Sequence, residues 1–283
     1  MKRLILVSVF FLISCGGGGG GDSSSSSSSS SNASLPPGCC SIYQTAAVQA
    51  AYLAGYTGQG STVLNLDWST HVDPTGASHQ TKVNQVIAGS GGVATYATLV
   101  PVTTETGSNW NAVISSTLAG MTNGQIINLS AGGGVGTNTS QITSPANPAN
   151  ILITVAAGNT NVPALQYTLP AAIYNSTYVN NAIIVGALGT DGNIASWSAT
   201  AGAAADRFVV DYGTSTSIYS GTSYSAPRVA GYAAIIKQKY PNATGSQIAT
   251  AILNTAVLKP GWDPVIYGKG QVDLTAALKY LGS

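Results

Sequence analysis

The sequence predicts an α/β domain built on a mainly parallel sheet covered by helices on both faces. Three observations carry this expectation. Strand-length runs rich in Val, Ile and Leu recur along the chain without clean alternation with polar residues, as in strands buried on both sides. Segments with helical spacing lie between these runs, and strands that alternate with helices pair in parallel. About 240 residues follow position 41, enough for one domain that buries roughly 70–75% of its unfolded surface.

Taken in order, residues 44–53 read as a helix and 62–66 as a strand. Residues 79–88 read as a helix, with Val83, Val86 and Ile87 on one face and Gly89 as its stop. Strand 98–102 and helix 109–119 follow, then strands at 125–129, 151–156, 182–187 and 207–210. The longest helical segment runs from 223 to 240 and closes at Pro241, and helices at 246–253 and 274–281 finish the chain.

The first 40 residues read differently. Lys2 and Arg3 precede ten apolar residues, 4–13. That run is too short for a transmembrane helix of about 20 residues and fits the apolar core of a signal peptide. It ends in Leu12-Ile13-Ser14-Cys15, which resembles the bacterial lipobox, so residues 1–15 are expected to be a lipoprotein signal with Cys15 as the lipidated residue. Residues 16–40 are dominated by glycine and serine, bury too little apolar surface to offset their backbone entropy, and read as a flexible tether. The domain itself is expected over 41–283. Gly16 stands where an aspartate would favour inner-membrane retention, which points to an exported bacterial lipoprotein at the outer membrane or cell surface. Cys39 and Cys40 are adjacent. They can bond each other with strain, bond another molecule, or stay free.

Composition excludes several partners. Only 7% of residues are Asp, Glu, Lys or Arg and the net charge is +1, so there is no basic patch for nucleic acid or an anionic membrane. Nine acidic residues, not concentrated in any loop, give no metal cluster. Calcium takes several oxygen ligands, carboxylates usually among them, so no cofactor is expected and only carbonyl-built calcium sites stay open.

The residues that carry chemistry are polar groups at strand ends, where α/β sheets place their active sites. Asp67 ends the first strand, His79 opens a helix, and Ser223 sits in Gly221-Thr222-Ser223-Tyr224-Ser225-Ala226-Pro227, a turn into the long helix. A serine hydroxyl becomes a nucleophile when an imidazole takes its proton, and a buried carboxylate fixes the imidazole tautomer.

These motifs resemble those of the subtilisin-like serine proteases. Gly55-Tyr56-Thr57-Gly58-Gln59-Gly60 and the strand ending in Asp67 resemble the family's entry to its aspartate. Gly221 to Pro227 resembles its G-T-S-M-A-x-P signature, with Tyr224 for Met and Ser225 for Ala. Ala156-Ala157-Gly158-Asn159 resembles the A-A-G-N segment, and Ile127-Asn128-Leu129-Ser130-Ala131-Gly132-Gly133 the N-x-S-x-G-G strand. Ala195-Ser196-Trp197-Ser198 and Tyr267-Gly268-Lys269-Gly270 match further motifs in the same order. The resemblance implies a three-layer subtilisin-like fold and a monomeric serine endopeptidase acting on polypeptides. It assigns Asp67, His79 and Ser223 to the triad and Asn159 to the oxyanion hole. It places the substrate between Ser130-Ala131-Gly132 and Ala156-Ala157-Gly158. Those walls are small and uncharged, so the expected specificity is broad with a preference for large apolar residues before the cut. The histidine motif departs from H-G-T-H-V-A, reading His79-Gln80-Thr81-Lys82-Val83-Asn84. The alternative is a catalytically impaired lipoprotein that keeps the fold as a binding module. A sedolisin-like reading needs acids that the chain lacks, since Glu105 is its one glutamate.

Overall fold

Among the described residues of the computed structural model, six strands form one parallel sheet, in the order β2-β1-β3-β4-β5-β6. They are β1 Thr62–Trp68, β2 Thr98–Thr104, β3 Ile126–Leu129, β4 Leu152–Ala156, β5 Ala182–Leu188 and β6 Phe208–Tyr212. The structure describes residues 35–36, 39, 41–69, 72, 76–104, 110–130, 134–135, 150–214 and 219–282. Strands β3, β4 and β5 are buried along their whole length, which is why their sequences run apolar without alternation.

Alternate side chains of each strand feed two cores. Val63, Ile126, Leu152 and Ile183 face one side, which is covered by α1 Ala46–Leu53, α2 His79–Ile87, α5 Thr222–Lys239, α6 Gly245–Thr255 and α8 Leu274–Tyr280. Leu66, Ile127, Ile153 and Ile184 face the other, covered by α3 Trp110–Gly120, α4 Thr168–Tyr174 and the single turn α7 Pro264–Tyr267. The three layers expected from the sequence are therefore present. Helix α5 is buried from Thr222 to Ile236 because it packs against the sheet and against α2, α6 and α8. Each fully buried Val or Ile on it stabilises the fold by about 1.5–3 kcal/mol.

The expected elements return with shifts at their ends, and two helices are new. β6 extends to Tyr212, past the expected end at 210, and α5 begins at Thr222. α4 contains Pro170 in its first turn, a position where the missing N–H costs nothing because it has no helical partner. α7 is one turn, started by Asp263 accepting from Val265 N at 2.8 Å and by Pro264. Leu35 packs against the first core, and Cys39 N–H donates to the Pro36 carbonyl at 3.1 Å, so contacts with the domain reach back before residue 41. Cys15, Cys40 and residues 16–34 lie outside the described residues.

The strand order reverses between β1 and β3. β1 is followed in sequence by β2 on one flank of this pair and β3 by β4 on the other, and the carboxyl ends at such a reversal are the usual ligand position in such sheets. Asp67 lies near the end of β1 and Ser130 follows β3 directly.

Candidate active site

Asp67 is fully buried, and its carboxylate faces the His79 ring. His79 Nδ1 lies 2.8 Å from both Asp67 oxygens. A nitrogen facing a carboxylate is a donor, so Nδ1 carries the hydrogen and Nε2 is left with its basic lone pair. Trp68 N–H also donates to Asp67 Oδ1 at 2.7 Å, fixing the carboxylate's orientation. His79 is the first residue of α2, whose N-cap Ser78 accepts from Thr81 N at 3.1 Å.

Gln80, which replaces the glycine of the resembled motif, strengthens this end of the helix. It is buried, donates Nε2 to the Val102 carbonyl at 3.0 Å and accepts from Thr103 Oγ1 at 3.2 Å. Helix α2 is thus pinned to β2, and β2 is in register with β1 at Asp67↔Thr103. Lys82, in place of the second motif histidine, puts its ammonium 3.7 Å from the Tyr219 ring centroid. The His79 and Tyr224 rings lie 5.9 Å apart at 57°. Two cross-contacts therefore join α2 to the segment that delivers Ser223.

Ser223 is the second residue of α5, behind the N-cap Gly221. The helix macrodipole places partial positive charge there, and the first N–H groups of the helix have no intrahelical partner. Pro227 lies inside α5 and lacks the N–H that would bond the Ser223 carbonyl four residues back. Ser130 Oγ takes that carbonyl instead, at 3.1 Å. The Ser223 hydroxyl in turn donates to the Ser130 carbonyl at 3.0 Å. Ser130 thus grips Ser223 twice, and in this state the hydroxyl is turned to Ser130 rather than to His79.

Asn159 is exposed, and its amide is oriented by Thr222. Its Oδ1 accepts from Thr222 N and from Thr222 Oγ1, both at 2.9 Å. Occupying the oxygen leaves Nδ2 as the outward donor. Thr222 Oγ1 also accepts from Gly158 N at 3.1 Å. Ala156, Ala157 and Gly158 are buried beside this turn. Gly158 has φ +118°, and a Cβ there would meet the Tyr167 ring at 2.1 Å, so both backbone and space require glycine. Sequence reasoning missed Tyr167, whose hydroxyl accepts from Asn159 N at 2.8 Å. Ala131 and Gly132 lie outside the described residues.

Two other acids make local bonds of their own. Burial pushes Asp211 above the usual carboxylate range despite the nearby Arg228 guanidinium, and Tyr212 N–H binds its Oδ1 at 2.6 Å. Asp191 is exposed and held below that range by Asn193, which donates side-chain and backbone N–H groups to it. Among the described residues no group of three His, Cys, Asp or Glu could hold a metal.

The sequence profile of the peptidase S8, or subtilase, family matches residues 60–270. Subtilisin BL of Lederbergia lenta is 31% identical over 267 residues, which span 81% of this chain and 95% of that protein. Subtilisin DY of Bacillus licheniformis is 33% identical over 181 residues, and the match covers 59% of this chain but only 62% of that relative. A solved prenylagaramide maturation protease superposes with a TM-score of 0.61 at 21% identity, over 83% of this chain and 98% of its own; at that identity the likeness concerns the fold.

Proposed function

The chain belongs to the subtilase family, and from that premise we propose that it is an exported serine endopeptidase in which Asp67, His79 and Ser223 act as the triad. What carries the reading is the 2.8 Å pairing of His79 with buried Asp67 at the crevice where Ser223 opens α5. Ser223 Oγ turns from the Ser130 carbonyl to His79 Nε2, gives up its proton and attacks the scissile carbonyl carbon. Negative charge develops on the carbonyl oxygen, where Asn159 Nδ2 and the N–H groups at the start of α5 stabilise it. His79 then protonates the leaving amine, held as imidazolium by Asp67. Water repeats the sequence on the acyl-enzyme and frees Ser223.

Substrate backbone lies beside Ser130-Ala131-Gly132 in this reading, with the residue before the cut between that segment and Ala156-Ala157-Gly158. Buried apolar surface contributes about 25 cal/mol per Å², so Phe, Tyr, Leu and Met are preferred there. Hydrophobic contacts separate neighbouring side chains by only about 10–200-fold, so specificity is broad. A peptide-library digest should show cleavage chiefly after large apolar residues; cleavage mainly after Arg or Lys would overturn this view of the cleft.

The domain acts outside the cytoplasm, anchored by lipid on Cys15 through the 16–40 tether. A relative of 35% identity is an extracellular serine proteinase from a Thermus strain, which supports export. Mature protein should partition into detergent, and Cys15→Ser should release it or leave the precursor unprocessed. Wild-type protein found wholly in the aqueous phase would refute the anchor. A second reading, the fold kept as an inactive binding module, is favoured by one observation, the Ser223 hydroxyl bonded to the Ser130 carbonyl. It requires a serine that does not react with a fluorophosphonate.

A further inference from the structure

We infer that Asn65 and Asn84 are positioning residues for the proposed peptidase reaction, joining the helix that carries His79 to the turn that carries Ser223 through a chain of hydrogen bonds. Asn65 Nδ2 donates to Asn84 Oδ1 at 2.8 Å. Asn65 Oδ1 accepts from Asn128 Nδ2 at 2.8 Å, and the other Asn128 hydrogen goes to Ser130 Oγ at 2.7 Å. Ser130 Oγ passes its own hydrogen to the Ser223 carbonyl at 3.1 Å, the one that Pro227 leaves without a helical partner. Thr154 Oγ1 donates to Asn128 Oδ1 at 3.1 Å. Each hydrogen in the series has one acceptor, so the orientation of the amides is fixed along the whole chain.

The arrangement comes from strand register. Asn65 pairs with Asn128 and Asn128 with Thr154, so the three form one polar row across β1, β3 and β4. Their strand neighbours Val63, Ile126 and Leu152, two positions away on the same face, belong to the apolar core under α2 and α5. All three polar residues are fully buried. Asn disfavours strands, and a buried amide costs free energy unless its bonds are made, so an apolar row would pack here without that penalty. Asn84 departs from the resembled H-G-T-H-V-A pattern, which has alanine at this place, and the facing amide on β1 is its partner.

Neither Asn65 nor Asn84 belongs to the reacting set. Asn84 stands five residues after His79, about one and a half turns along α2, and the far end of the chain grips the backbone of Ser223. Together the bonds set how His79 Nε2 sits relative to Ser223 Oγ. Displacements of about 1 Å at reacting groups cost on the order of 10²-fold. Losing one link of the chain should move them by less.

The inference rests on the peptidase reading, and the test separates the two. Purified full-length protein is titrated with a fluorophosphonate on the alkaline plateau, and the labelling rate constant is taken per titratable Ser223, with kcat and KM measured beside it. Asn84→Ala keeps a good helix former at a half-buried site. It should lower the rate constant per site and kcat about tenfold, a fraction of the loss that full misplacement brings, with KM and titratable fraction unchanged. Asn84→Asp retains an acceptor for Asn65 and should stay within about twofold of wild type, since the bond to it is kept. A merely structural role would lower the titratable fraction or the melting temperature and leave the per-site rate alone. The inference is overturned by wild-type rates in Asn84→Ala, or by Asn84→Asp reacting as slowly as Asn84→Ala. Wild-type protein that never labels overturns the peptidase reading and this inference with it.

Discussion

Replacing Ser223 with alanine should lower kcat by about 10⁶, a magnitude taken over from subtilisin itself, while leaving the fold intact. The hydroxyl makes one described hydrogen bond, to the Ser130 carbonyl, and the second grip of Ser130, on the Ser223 backbone carbonyl, survives the substitution. The melting temperature should therefore change little, because losing a hydrogen bond of this kind costs about 0.5–1.5 kcal/mol. Activity and stability separate in this variant. Purified Ser223→Ala protein that still hydrolyses peptides would place the nucleophile elsewhere.

Asp67→Asn should cost about 10⁴ in kcat, and the local geometry gives the reason. His79 Nδ1 is 2.8 Å from both carboxylate oxygens. An amide has one oxygen and one NH2, and the Trp68 N–H that donates to Oδ1 keeps the oxygen at that place, so the NH2 takes the Oδ2 place against Nδ1. Two donors cannot face each other, so the imidazole shifts its hydrogen to Nε2 and loses the lone pair that serves as base. The substitution is isosteric, and Trp68 N–H can still be satisfied by the amide oxygen, so the protein should fold. Steady-state rates on a peptide substrate are the check, and a loss below tenfold would show that Asp67 does not set the tautomer.

The sheet was legible in the sequence because its strands are buried on both faces and therefore run continuously apolar, as in Ala182–Leu188. The long helix was legible from Ser223 onward because Pro241 marks its end. Helix α4 was not, because Pro170 reads as a breaker until its place in the first turn is known. Asp67, His79, Ser223 and Asn159 were picked out by motif, and the pairing of Asp67 with His79 then depends on where β1 ends and α2 begins. Gln80 looked like a loss, since a glycine is expected there. Its bonds to Val102 and Thr103 follow from β2 lying beside β1, which no local pattern encodes. The Asn65–Asn128–Thr154 row was invisible for the same reason: three residues in separate segments become one row only through register.

The most direct measurement is the mass of the protein after reaction with a fluorophosphonate, followed by peptide mapping of the adduct. A serine made nucleophilic by His79 and Asp67 should give a single adduct, carried by Ser223 and by neither Ser220 nor Ser225, its near neighbours in the turn and helix. Unmodified protein, or an adduct on a different serine, would contradict the account.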